Sequence, residues 1–171
     1  MLIVEDGTGK QNAESYVTAA TCAAYAAVRG LSFDDDEYGE QALRRATTWL
    51  DARYQWPGIR AHGREQALQW PRSSATDVDG LALPSNEIPR EIISALCEAA
   101  IRELTEPGVL SPDVIPGKVV QSAAVSGAVS VTCATSGGAL SQRPISTAID
   151  DIVSSIVRIS AMSLAGQSAR V

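Results

Sequence analysis

The sequence is poor in the groups that carry most enzyme chemistry. It has a single histidine, His62, with no cysteine or second histidine near it, so a metal site or proton relay there is not expected. The three cysteines, Cys22, Cys97 and Cys133, are odd in number and have no CxxC spacing. That excludes a disulfide framework and a zinc knuckle. Cys22 and Cys97 fall in alanine-rich helical runs and read as small buried hydrophobes. Nucleotide-binding glycine loops, the GxSxG elbow and the HExxH pair are all missing. Gly7-Thr8-Gly9-Lys10 lacks the earlier glycine that a phosphate-binding loop needs. The acidic run Asp34-Asp35-Asp36-Glu37 lacks the spaced ligands, central glycine and distal glutamate of a calcium loop. These absences predict a protein that is not an enzyme, with no cofactor, no metal and no catalytic residues.

Long apolar runs are also lacking. No stretch approaches the ~18 residues that a membrane span needs, and no basic segment precedes an apolar one as in a secretory leader. The expectation is synthesis in a reducing cytoplasm, with no membrane partner. Basic residues are the minority, 14 against 20 acidic, for a net charge of −6. Sequence-independent affinity for nucleic acid comes from neutralising phosphates, so tight DNA binding is disfavoured. A surface past which DNA slides without sticking is compatible with this balance. Aromatic residues make up only 5%, so the core is built mainly of small side chains. Modest stability alone, with further burial against partners, is expected.

What is present concentrates between Gln41 and Arg72, which holds all three tryptophans, Trp49, Trp56 and Trp70. Before it, Thr18 can cap a helix over Ala19–Val28, with Arg29-Gly30 as its stop. The acidic run at 34–37 sits where a helix start favours negative charge. A second helix is predicted from Tyr38 to Tyr54, since Ala42, Leu43, Ala46, Trp49, Leu50 and Arg53 recur at three- and four-residue spacing. Arg44, Arg45 and Asp51 lie on its other faces. Trp56-Pro57-Gly58 ends it. Residues 59–86 form a long irregular segment of the kind that is usually functional or disordered. Its His62, Arg64 and Glu65 read as solvated loop charge. Trp70-Pro71-Arg72 reads as a pin that holds the loop to the helices.

A third helix begins at Pro89, with Ile92, Ile93, Leu96, Cys97, Ala100, Ile101 and Leu104 as a wide apolar face. Glu91, Glu98, Arg102 and Glu103 are expected mostly in water. From Val119 to Cys133 the pattern alternates, with Ser126-Gly127 at the turn, which predicts a β-hairpin. A lone hairpin is marginal in water, so Val129 and Val131 are expected to face the helices or a neighbouring subunit. After a Ser/Gly-rich linker, a last helix from Thr147 to Met162 carries Ile149, Ile152, Val153, Ile156 and Val157 on one apolar face. It either completes a four-helix bundle or docks on another chain. The fold class is mainly α. One domain spans residues 1–171: a helical body at about 15–106, a hairpin at about 118–134, and a docking helix with tail at about 146–171.

Several features occur together in a known order. Val4-Glu5-Asp6-Gly7-Thr8-Gly9 precedes Asn12-Ala13-Glu14-Ser15-Tyr16-Val17. Ala24-Tyr25 and Arg29-Gly30 follow, then Ala42-Leu43-Arg44-Arg45-Ala46-Thr47 and Leu50-Asp51-Ala52-Arg53-Tyr54. Gln66-Ala67-Leu68 precedes Trp70-Pro71-Arg72, and Ile88-Pro89 opens a helix holding Cys97-Glu98-Ala99-Ala100. The set resembles the phage head–tail adaptor (head completion) family, whose members often carry the label DnaT-like single-stranded DNA-binding protein. It covers residues 1–104 by motif and the remainder in outline. The resemblance implies a helical protomer with a hairpin that assembles as a homo-oligomeric ring, dodecameric as a rule, beneath the portal protein. Such a ring sits at the virion neck, extends the DNA channel without specific DNA contacts, and docks a stopper or tail protein. It implies structural roles for Tyr16, Trp49, Tyr54, Trp70 and Arg72, and contact roles for the hairpin, the 59–86 loop and the last helix. The label suggests an alternative, a single-stranded DNA-binding replication factor, for which Arg44, Arg45, Arg60, Arg64 and Arg72 with Trp56 and Trp70 are the candidates.

Overall fold

The computed structural model describes residues 1–113, 122–125, 129–132 and 145–157, with only the backbone of the two middle segments. Four helices and a small hairpin make it mainly α, as the periodicity predicts. Helix α1 spans Ala19–Val28, α2 spans Glu37–Arg53, α3 spans Arg90–Thr105 and α4 spans Thr147–Val153. Two short antiparallel pairs accompany them: β1 (Ile59–Arg60) with β2 (Arg72–Ser73), and β3 (Ser122–Val125) with β4 (Val129–Thr132).

The helix ends obey local chemistry. Thr18 Oγ1 accepts from the Thr21 amide at 3.1 Å and starts α1. The Leu31 and Gly30 amides donate back to the Ala26 and Ala27 carbonyls, with Gly30 at φ +69°. This is the reverse turn that glycine permits beyond a helix end. Asp36 Oδ1 accepts from the Gly39 amide at 2.9 Å and caps α2, so the acidic run is a helix start and not a calcium loop. Pro89 stands one position outside α3, extended at ψ 140°, rather than as its first helical residue. Its carbonyl accepts from the Ile92 and Ile93 amides.

Helix α3 is the centre of the body and touches the other three helices. Its buried residues Ile92, Ala95, Leu96, Cys97, Ala99, Ala100 and Ile101 encircle much of its surface. Small residues let neighbours approach on more than one side. On one of those sides lies α4, with Ile149 and Val153 wholly buried and Ile156 and Val157 nearly so. The predicted docking helix is therefore, in its described part, a helix of the protomer's own core. It is also shorter than predicted: it ends at Val153, turns follow to residue 157, and the remainder of the predicted helix lies outside the described residues. Of the two readings left open by the sequence, bundle completion holds for residues 147–157.

Glu103 corrects another expectation. It is 3% exposed, not solvated. Its carboxylate accepts from Arg45 Nε at 2.9 Å and from the Gly108 and Leu110 amides at 2.9 and 3.2 Å. A buried carboxylate is tolerated when every oxygen is paired, and here the pairing also closes the turn after α3.

Candidate functional site

The 41–72 stretch builds one connected assembly at the end of α2. Trp49 and Tyr54 meet edge to face at 6.2 Å, Trp56 and Trp70 likewise at 6.0 Å, and Tyr54 and Trp56 lie tilted between them at 5.3 Å. Trp70 is fully buried and Trp56 is 8% exposed. The row is an aromatic spine whose Trp56–Trp70 end is interior and whose Trp49 and Tyr54 are half-buried against the core, not a stacking platform on the surface. Arg72 locks the chain around it. Nε donates to the Pro57 carbonyl at 2.6 Å. Nη1 reaches the Gln69 carbonyl and Oε1, and Nη2 reaches the Trp56 and Gly58 carbonyls. No carboxylate takes part in these bonds, and burial, with Arg60 nearby, lowers the guanidinium pKa. The loop can close this tightly only because residue 58 is glycine. At φ +68°, a Cβ there would lie 2.4 Å from the Ser73 carbonyl oxygen.

A second knot ties the same loop to the N-terminal segment. Tyr16 Oη donates to Asp51 Oδ1 at 2.6 Å and accepts from the Gln69 and Trp70 amides. The Gln69 amide also donates to Asp51 Oδ2 at 2.9 Å. Burial pushes the Asp51 carboxyl up to about 6, against the lowering effect of these bonds. Gln66, also buried, accepts from the His62 amide and donates to the Leu68 and Pro71 carbonyls. Tyr54 Oη donates to Asp150 at 2.6 Å and so fastens α4 to the same assembly. The 59–86 segment is thus an ordered strap. Its Val78 amide also donates to Ser155 beyond α4.

The positions singled out in the sequence divide accordingly. Tyr16, Trp70 and Arg72 lie inside the protomer, with Trp49 and Tyr54 half-buried against the core. Ile149, Val153, Ile156 and Val157 are not free to bind a partner, because they pack on their own body, and Ile152 lies partly buried beside them. Val129 and Val131 lie on β4, opposite Val125 and Ala123; their side chains are outside the described residues. Among the described residues the hairpin contacts none of the helices. Cys22 and Cys97 are both buried, and Cys97 together with burial pushes the Cys22 thiol well up. Cys133 is outside the described residues.

The cations separate in the same way. Arg44 pairs with Glu14 and Glu40, and Arg45 with Glu103. Arg72 is spent on carbonyls. Of the five arginines considered for DNA, Arg60 and Arg64 remain; Arg64 is exposed and Arg60 half-buried against Gln69. A cleft of about 450 Å³ beside α2 is lined by Met1, Asp35, Asp36, Glu37, Glu40 and Arg44, a set that repels phosphate. Glu5 and Gln66 are buried polar residues that no sequence pattern singles out, and Glu103 is one that the pattern places in water. Glu5 accepts from the Gly7, Gly9 and Lys10 amides at 2.7–2.9 Å. Its signal is a carboxylate directly before a glycine-rich turn whose amides need an acceptor.

These features define a small, mainly α protein whose conspicuous aromatic and cationic side chains hold the protomer together. The chain belongs to the family described as "Putative DnaT-like ssDNA binding protein", whose model matches residues 1–171. No curated protein and no solved structure matches it.

Proposed function

We propose that the chain is a structural subunit, a head–tail adaptor that forms a ring under a portal and extends the DNA channel. The observation that carries this reading is where the recognition-type side chains go. Trp56, Trp70 and Arg72 are consumed in the protomer's own interior, and Arg44 and Arg45 in ion pairs. Single-strand binders instead expose aromatic faces along a basic groove. The acidic cleft and the net charge of −6 suit a wall past which DNA moves. Partners on this reading are further copies of the chain, the portal protein, and a stopper or tail protein. The test is imaging of the neck of particles assembled with a tagged chain. Density for the tag in a ring between portal and tail is expected; particles without the chain at the neck overturn the reading.

The family's description favours a second reading, single-stranded DNA binding. Apart from Arg72, which is held by carbonyls, Arg53, Arg60 and Arg64 are the described cations without an ion pair, and they would have to carry it. Three phosphate contacts on a single strand give a slope of log K against log salt of about −2. Oligonucleotide titrations at several salt concentrations discriminate the two: the adaptor reading expects no such slope, and the second reading requires one that Arg60→Glu/Arg64→Glu abolishes.

A further inference from the structure

The β3–β4 hairpin is a two-stranded sheet with both outer edges unpaired among the described residues. It also contacts no helix there. A hairpin of this size is marginal by itself. Exposed edges are normally guarded by lysine, proline or inward charge against pairing with another chain. None of Ser122–Val125 or Val129–Thr132 is charged or a proline, and between Lys118 and Arg143 the sequence has no charged residue at all. The rest of the chain carries the net charge of −6, which on average opposes the approach of two copies through their bodies. The hairpin is the element through which they can meet without that cost.

We propose that the hairpin pairs with the hairpin of a second copy, the β3 edge of one joined to the β4 edge of the next. Two-fold pairing of like edges leaves one edge of each hairpin bare. Head-to-tail pairing uses both edges of every copy, and a repeated head-to-tail contact closes into a ring when its rotation permits. The proposal names a surface for the assembly on which the adaptor reading rests.

The test uses the full chain and has two arms. In the first, sedimentation velocity at rising concentration compares the natural chain with a variant in which residues 122–132 are replaced by a Gly/Ser stretch of equal length. The natural chain is expected to associate and the variant to stay monomeric. Because the hairpin contacts no helix among the described residues, the variant is expected to keep the natural helical circular dichroism and melting temperature. In the second arm, Ala124→Cys and Ser130→Cys single variants are made in a Cys133→Ser background and oxidised. The mixture is expected to give a disulfide-linked dimer that neither variant gives alone. A natural chain that stays monomeric, or a variant that still associates, overturns the proposal. So does a dimer formed by Ala124→Cys or Ser130→Cys by itself, or a mixture that gives none. None of these outcomes bears on neck imaging, so failure of the hairpin contact and failure of the adaptor reading are separable.

Discussion

Arg72 shows how a charged side chain can be structural without an ionic partner. Its donors meet the carbonyls of Trp56, Pro57, Gly58 and Gln69. Arg72→Ala leaves these acceptors bare in a buried place, and each hydrogen bond to a charged group contributes about 1.5–3 kcal/mol. Urea denaturation is expected to show a loss of at least about 3 kcal/mol. Arg72→Lys is expected to recover little, because an ammonium cannot span the fork of acceptors. Asp51 gives the pH dependence. Its folded pKa is raised from 3.8 to about 6 by burial. Between about pH 4 and 6 the folded state therefore holds a proton that the unfolded state has released. Stability from this group is greatest below that window and falls as pH rises through it. At about 1.4 kcal/mol per pKa unit the loss is about 3 kcal/mol. Asp51→Asn removes the titration, so the difference between natural chain and variant, followed by thermal melts from pH 4 to 7, is expected to change by that order. A flat difference would show that Asp51 is not buried as described. At this scale the sequence was legible for tryptophan and proline, which punctuate the chain visibly. It was opaque for Glu5, Gln66 and Glu103, because polar residues enter a core only through partners that are distant in sequence or hidden in a turn.

At the scale of elements, periodicity located α1, α2 and α3 nearly to the residue, since each has an apolar stripe and a chemical stop. Helix α4 was found, but its role was not. An apolar stripe says that a face is buried and is silent about which chain buries it. The answer lay in α3, whose Ala95 and Ala99 widen its apolar surface to more than one side. Ile149→Ala in this contact is expected to lower stability by about 2–4 kcal/mol, as large-to-small changes in cores do, measured by urea unfolding. A chain cut before Ala148 is expected to lose cooperative melting rather than persist as a folded body. A cut chain that melts as sharply as the natural one would return α4 to the role of a docking device. The 59–86 strap was harder to foresee. Its order comes from Tyr16, Asp51 and Arg72, and nothing in a local window announces bonds to positions 18 to 54 residues away.

For the whole molecule, the balance of charge and the burial of the aromatic spine point the same way. The chain is acidic overall, while Trp56, Trp70 and Arg72, which a single-strand binder would expose, face inward. In a fluorescence titration with a labelled oligonucleotide, Trp56→Phe and Trp70→Phe are expected to alter stability and leave any DNA affinity unchanged. A selective loss of affinity in a variant that stays folded would favour the single-strand reading.

The Tyr54–Asp150 bond joins positions 96 residues apart, and this has a consequence for how the chain emerges from the ribosome. About forty residues separate the end of α3 from the start of α4. At roughly 5–20 residues per second of translation, the side of α3 meant for α4 waits roughly 2–8 seconds for its cover. During that interval the nascent chain displays an unshielded greasy flank, so holding chaperones and co-translational crowding have their strongest grip on it just before α4 emerges.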